Sequence, residues 1–139
     1  MIVTDIEKLK VKSKDTNWDE VSELDLINKL KEANLTAWTK GCGLAAIQIG
    51  VPVRFAWFKY NGADYYLLNP EIVIAIGRYE HKEGCLSIPN RWIGVVRSYE
   101  IEYISDGKKK KAKGLKACII QHEIDHMNGI LTVDIKQEA

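Results

Sequence analysis

The sequence has few cysteines, almost no net charge and no long apolar run, and each shortage excludes a class of protein. A disulfide framework needs a larger, even number of cysteines than the three present, which are Cys42, Cys85 and Cys118. Such a small, odd number is more typical of a protein in a reducing compartment. The net charge of +1 gives no overall reason to expect a nucleic-acid partner. No segment approaches the ~20 apolar residues of a membrane helix, and the first residues do not start a signal peptide. We therefore expect a cytoplasmic protein without a membrane partner.

The residues that are present suffice for one core. With 139 residues, 46% of them hydrophobic, we predict a single domain over residues 1–139. Asn61-Gly62 between two apolar runs predicts a hairpin. The periodicity predicts helices over about 18–38 and 115–128, and strands over 54–60, 65–68, 71–76, 78–83, 93–96, 99–104 and 130–135. This order predicts an α+β domain with antiparallel β-sheets packed around the central helix 115–128.

The central helix carries the pattern H-E-x-x-H in His122, Glu123 and His126. Histidines four residues apart lie on the same helix face, so both rings can reach one metal ion. The glutamate beside the first histidine is placed to take a proton from the attacking water. The spacing therefore predicts metal-assisted hydrolysis, which needs about three protein ligands and one open position.

The third ligand is not found on this helix or after it. Cys118 lies roughly 12 Å along the helix from His126, too far for a metal–sulfur bond of ~2.3 Å, so we expect it to be a small buried residue. One protease class continues the pattern as H-E-x-x-H-x-x-G-x-x-H and takes its third ligand from the final histidine. In this sequence that position is Thr132. Another protease class uses a glutamate on a later helix, but here Glu138 lies in the terminal tail.

Cys85 is the favoured third ligand. It lies beside Gly84 after a strand, where the backbone can turn sharply and another group can approach closely. Glu83 is the next candidate for this role. His81, alone on a polar strand, is more typical of a surface residue.

Two charged features have structural interpretations. Asp125 carries a charge on the ligating helix, and we expect a structural role, in which it orients a neighbour or pairs with Arg97 and holds the helix against the sheet. Lys108 to Lys111 form a basic patch, which is more typical of a solvated hairpin edge than of a docking site.

Three blocks of the sequence together resemble the peptide deformylase family. They are G-C-G-L-A-A-I-Q at residues 41–48, E-G-C-L-S at 83–87 and H-E-I-D-H-M-N-G at 122–129. Each block alone is modest evidence, but all three in order are highly specific. The resemblance covers about residues 41–130. Ile47 stands where many bacterial members have proline.

The resemblance implies a complete site. The implied metal ligands are Cys85, His122 and His126. The implied catalytic groups are Glu123 as general acid and base, and the Gln48 amide and Leu86 backbone N–H as donors to the oxyanion. Family members remove the formyl group from the N-terminal methionine of new proteins and release formate. Their metal is usually iron(II), with zinc, nickel or cobalt as substitutes.

The substrate implied by the resemblance is an N-formylmethionyl nascent peptide, which needs a narrow formyl site beside an apolar methionine pocket. The candidate residues for binding it are Gly43, Leu44, Gly84, Leu86, Ile88, Trp92 and Ile119. The peptide could also pair with an exposed strand edge.

Other partners and functions stay open at this point. Most bacterial members continue into a longer C-terminal helix that helps them dock on the ribosome, and this sequence lacks it, which leaves ribosome docking open. So short a form resembles the minimal members of bacteriophages. A metallopeptidase that cuts internal peptide bonds and a non-catalytic metal-binding domain are the alternative functions.

Overall fold

The computed structural model describes residues 1–37 and 42–135. The helices in this part of the chain are α1 (Ile6–Leu9), α2 (Trp18–Glu23), α3 (Leu26–Leu35), α4 (Leu115–Met127) and α5 (Thr132–Ile135). The strands are β1 (Gly43–Ala45), β2 (Phe55–Tyr60), β3 (Ala63–Leu68), β4 (Glu71–Ile76), β5 (Tyr79–Cys85), β6 (Ile88–Arg97), β7 (Glu100–Ser105) and β8 (Lys108–Lys113). A 3₁₀ turn at Ala46–Ile49 follows β1.

The strands form three antiparallel sheets, in the orders β1-β2-β3, β4-β7-β8 and β5-β6. Two hairpins form where Asn or Asp precedes Gly. Asn61 and Gly62 both have positive φ angles, 50° and 78°, as the favoured two-residue hairpin turn requires. Asp106 and Gly107 repeat this geometry at 54° and 72°. The predicted α+β fold with antiparallel sheets is confirmed.

Helix α4 forms the centre of the fold and packs against β1, β2 and β8. Ala117, Ile120, Ile124 and Met127 lie in one buried cluster with residues of both three-stranded sheets. The helix covers almost the predicted range 115–128. It is 13 residues long, and no helix in the described ranges has the length and hydropathy to cross a bilayer. Burying this helix between sheets fixes the backbone that carries His122 and His126.

The helix predicted over about 18–38 is wrong as one element. Asp25 has a left-handed backbone with φ 53°, and this residue separates α2 from α3. The break lets Val21 of α2 and Leu26 of α3 both enter the same buried cluster. The last part of the predicted range, residue 38, lies outside the described residues.

The strand predicted over 130–135 is also wrong, because α5 occupies Thr132–Ile135. The Asp134 carboxylate accepts a hydrogen bond of 2.9 Å from the Leu131 backbone N–H and so caps the turn. The predicted strand 93–96 is instead part of the longer β6, in which Ile88 and residues 92–97 pair with β5.

The basic patch lies on β8, at the edge of its sheet. Lys108 to Lys111 are all exposed, and Lys111 pairs with Glu102 on β7 at 3.2 Å. This arrangement fits the predicted solvated edge, since charged residues protect an edge strand from pairing with other chains.

We expect Gly129→Ala to destabilise the protein more than Gly107→Ala. Both glycines have left-handed φ angles, 75° and 72°, so either substitution costs about 1–2 kcal/mol of backbone strain. A β-carbon at Gly129 would also overlap the Lys10 carbonyl oxygen, whereas none at Gly107 meets an atom within 4 Å. Overpacking of this kind adds about 1–3 kcal/mol. Urea unfolding measures the free energy of unfolding of both variants. Equal losses would show that the Lys10 backbone moves aside without cost.

Candidate metal centre

Three side chains from two elements converge at the end of strand β5. Cys85 is the last residue of that strand, and His122 and His126 lie one turn apart on α4. The Cys85 Sγ atom is 3.4 Å from His126 Nε2, which is 3.2 Å from His122 Nε2. The three ligand atoms all lie within 4.8 Å of one another. A thiolate and two imidazoles at this spacing form a donor set that suits a transition metal, with Cys85 as the predicted third ligand.

The Glu83 carboxylate orients one of the two histidines. Its Oε1 atom accepts a hydrogen bond of 2.8 Å from His122 Nδ1–H. This bond assigns the proton of His122 to Nδ1 and leaves the Nε2 lone pair for the metal, as is usual for ligating histidines. Glu83, the second candidate for the third ligand, is therefore a partner of a ligand.

A buried arginine holds this carboxylate in place. The Arg97 guanidinium donates hydrogen bonds of 3.0 and 2.8 Å to the two oxygens of Glu83. It also donates to the Asp125 carboxylate on α4. The predicted Asp125–Arg97 pair is thus present, and it ties the ligating helix to strand β6 as expected.

The charges of the site favour the thiolate form of Cys85. Burial raises the pKa of this thiol, but His126 and His122 together outweigh burial and lower the pKa to about 5. Burial likewise raises the pKa of Glu83, and the hydrogen bonds from His122 and Arg97 outweigh it and hold that pKa well below its usual range. The site therefore offers a thiolate, which is the form that binds metal.

Glu123 lies beside the ligands and is buried. Burial raises the pKa of its carboxyl group. Its Oε1 atom has no hydrogen-bond partner among the described residues. An acceptor that is buried and unpaired next to three candidate metal ligands is available to a substrate or a water molecule.

Gln48 points its amide nitrogen at the ligand cysteine. The side-chain oxygen accepts a hydrogen bond of 3.0 Å from the Ala45 backbone N–H, which fixes the orientation of the amide. The Nε2 group then lies 3.7 Å from Cys85 Sγ and donates to Ser87 Oγ at 3.1 Å. Gln48 thus presents a fixed donor at the metal site.

A cavity of about 240 Å³ opens at this site. Its lining residues are Cys42, Gly43, Gln48, His81, Lys82, Glu83, Gly84, Cys85, Leu86, Trp92, Leu115, Cys118, Ile119, His122 and Glu123. They include five of the seven candidate substrate-binding residues: Gly43, Gly84, Leu86, Trp92 and Ile119. A β-carbon at Gly43 would lie 2.5 Å from the Trp57 carbonyl oxygen, so only glycine lets β1 approach β2 this closely.

The structure does not bring Leu44 or Ile88 to this cavity. Leu44 is fully buried in the cluster that joins α3 to β1 and β2, because neighbouring strand residues point to opposite faces. Ile88 does not line the cavity and packs with Leu9, Leu131 and Cys85 in another buried cluster. Both side chains therefore serve the core rather than the cavity wall.

The prediction that His81 is a surface residue is wrong, because this side chain is largely buried. Its Nε2 atom lies 2.8 Å from Glu83 Oε2, and the side chain is only 18% exposed. The signal that could have found it is the two-residue period of a strand. His81, Glu83 and Cys85 alternate along β5 and so share one face.

The buried cysteine excluded as a ligand is placed as expected. Cys118 is 1% exposed and contributes to the cavity wall from α4. Cys42 and Leu115 also line the cavity. No sequence pattern marked these two residues, because their position depends on how β1 and α4 meet.

Comparisons with known proteins agree with this geometry. The sequence model of the polypeptide deformylase family matches residues 2–139. A peptide deformylase of Dictyoglomus thermophilum is 38% identical over 134 residues, which cover 91% of this chain and 84% of the relative.

Solved structures show the same fold. Peptide deformylase from Thermotoga maritima superposes with a TM-score of 0.89 and 27% identity, covering 99% of this chain and 97% of that chain. A probable peptide deformylase from synechococcus phage S-SSM7 has a TM-score of 0.84 and 33% identity, covering 97% of this chain and 98% of that chain. With the family match over nearly its whole length, the chain belongs to the peptide deformylase family.

Proposed function

We propose that Cys85, His122 and His126 hold one divalent metal ion at which the chain carries out its deformylase reaction. The chain is a metal-dependent hydrolase that removes the N-formyl group from nascent peptides. The observation that carries the assignment of ligands is the approach of the three ligand atoms to within 4.8 Å of one another.

The ion that we propose is iron(II), with zinc, nickel or cobalt as substitutes. The thiolate and the two imidazoles accept all of these ions, and the choice of iron follows from the family resemblance. When bound, such an ion lowers the pKa of a water ligand and polarises the carbonyl that it touches.

Glu123 moves the proton in this proposal. Its carboxylate takes a proton from the attacking water, and the hydroxide oxygen forms a bond to the formyl carbon. The carboxyl group then gives that proton to the peptide nitrogen as the carbon–nitrogen bond breaks. The second proton of the water passes to the released amino group, formate and a free amino terminus leave, and Glu123 returns to its carboxylate form.

Gln48 and Leu86 stabilise the charge that develops on the formyl oxygen. The Gln48 amide is held by the Ala45 N–H and directs its NH₂ group at the ligand cysteine. Leu86 follows Cys85 directly, so its backbone N–H is carried at the same turn. Loss of one such donor typically raises the barrier by about 2.7–4 kcal/mol.

The methionine side chain occupies the apolar part of the cavity. Leu86 and Ile119 are buried there, and Cys118 adds a small apolar surface. A thioether needs no charged partner, so an apolar wall suffices for it. The partner that the site requires is a formylated peptide, and we propose the cytoplasm as its location because nascent chains are made there.

The test combines metal analysis and formate release on one anaerobically purified sample. With a formylated Met-Ala-Ser peptide we expect release of formate, and with casein no internal cleavage. Cys85→Ala should lose the metal and lower activity at least about 100-fold, since even partners of ligands contribute about 10–100-fold. Cys118→Ala is the matched control, because it removes a buried thiol from the same cavity and should keep the metal. Full metal and activity in Cys85→Ala would contradict the ligand set.

A further inference from the structure

The catalytic cavity has a buried floor and an exposed rim. Cys85, Ile119 and Glu123 belong to the buried floor. Trp92 and Leu115 belong to the rim and are 67% and 47% exposed. A tryptophan that is two-thirds exposed at the mouth of a substrate cavity presents a large apolar surface to whatever leaves the cavity.

The Trp92 ring is held in a defined place. Trp92 on β6 is the register partner of Gly84 on β5. A β-carbon at Gly84 would lie 3.0–3.2 Å from three carbon atoms of the six-membered ring of the indole. The ring therefore lies over the backbone of Gly84, directly before the ligand Cys85. The glycine leaves the room that the ring occupies, and the ring packs against the β5 backbone at the cavity mouth.

This position suits one residue of an extended peptide. In an extended chain, side chains alternate between two sides, so the first and third residues point the same way. With the methionine side chain in the cavity, the third side chain lies on the cavity side and the second points away.

We propose that Trp92 is a specificity-determining residue that binds an apolar or aromatic side chain at the third position of the formylated peptide. This role rests on the deformylase function of the site. Lys82 is the exposed cation of the same rim, and it disfavours a basic third residue.

The contact between Trp92 and the third side chain lies away from the bonds that form and break, so it affects peptide binding. An interaction that is equally strong in the ground state and the transition state lowers KM and leaves kcat unchanged. An aromatic contact of about 0.5–1.5 kcal/mol corresponds to a factor of about 2–12 in kcat/KM. A residue with only a structural role would change all substrates alike.

The experiment measures kcat and KM for formyl-Met-Ala-Xaa amides with Phe, Gly or Lys as the third residue. The wild-type protein should prefer Phe over Gly by about 2- to 12-fold, through KM, with Lys the poorest. Trp92→Ala should reduce the Phe preference to less than about twofold, and Trp92→Phe should restore most of it. Trp18→Ala is the matched control, because Trp18 is 41% exposed and lies outside the cavity. It should keep the wild-type preference.

Three results would each overturn this role for Trp92. The first is hydrolysis of all three peptides with equal KM by the wild-type protein. The second is an unchanged Phe preference in Trp92→Ala. The third is a preference that follows the second residue when formyl-Met-Phe-Gly amide replaces formyl-Met-Ala-Phe amide. Absence of any formate release from metal-loaded wild-type protein would overturn the deformylase function itself, so the two failures are distinguishable.

Discussion

Glu123→Gln is expected to lower kcat by about 10²–10⁴-fold, the usual contribution of a positioned general acid–base group. The glutamine keeps the shape of the side chain but cannot accept the proton of the attacking water or return one to the peptide nitrogen. Glu123 is 3% exposed and its Oε1 atom has no protein partner among the described residues, so no described group hydrogen-bonded to that atom can take over. The measurement is formate release from a formylated peptide at matched metal content.

Asp125→Asn is the matched control for this variant. Asp125 lies two residues further along the same helix and pairs with Arg97 instead of facing the cavity. We expect it to retain activity within about tenfold, since it contributes only through the position of a ligand partner. Turnover of Glu123→Gln close to the wild-type rate, with full metal, would show that another group moves the proton.

Arg97→Met should lower the free energy of unfolding by about 3–5 kcal/mol, the typical cost of removing one member of a buried ion pair. The Arg97 side chain is 5% exposed and donates to both oxygens of Glu83, which is itself 8% exposed. Without the guanidinium, Glu83 keeps His122 as a partner but loses the charge that compensates its burial. Urea unfolding of the metal-free protein measures the loss.

An exposed pair of the same residue types provides the control. Arg78 and Glu80 also approach to 2.9 Å, but their side chains are 68% and 72% exposed. Exposed pairs contribute about 0–1 kcal/mol, so Arg78→Met should have little effect on stability. Equal losses of unfolding free energy in the two arginine variants would show that the buried ion pair of Arg97 stabilises the protein no more than the exposed pair of Arg78.

The sequence determines the elements whose cause is local. The helix that carries H-E-x-x-H follows from its periodicity, and its ligand spacing follows from 3.6 residues per turn. The hairpin at Asn61-Gly62 follows from the positive φ angles that these two residue types accept. The three sequence blocks also identify the family, because they preserve the residues that the reaction needs.

Local patterns fail where a distant contact changes the backbone. The sequence at Leu24 and Asp25 continues a helical pattern, but the left-handed backbone of Asp25 separates two helices whose apolar residues share one buried cluster with β1 and β2. The end of the chain has the alternation of a strand, yet Asp134 caps a helical turn there. The partners of α2 and α3 on β1 and β2 lie far away in the sequence. At the end of the chain the cap itself is local, and the distant contact is the packing of Leu131 with Leu9 and Ile88.

By itself, then, the sequence of this protein determines two candidate metal ligands on one helix, the glutamate beside them and the hairpin at Asn61-Gly62. Only the tertiary structure decides that Glu83 orients His122, that Ile88 belongs to the core, and that Trp92 stands over Gly84 at the mouth of the cavity. The physical reason is the range of the interactions. Helix periodicity and turn geometry act over a few residues, whereas a site between β5, β6 and α4 depends on how buried faces pack together.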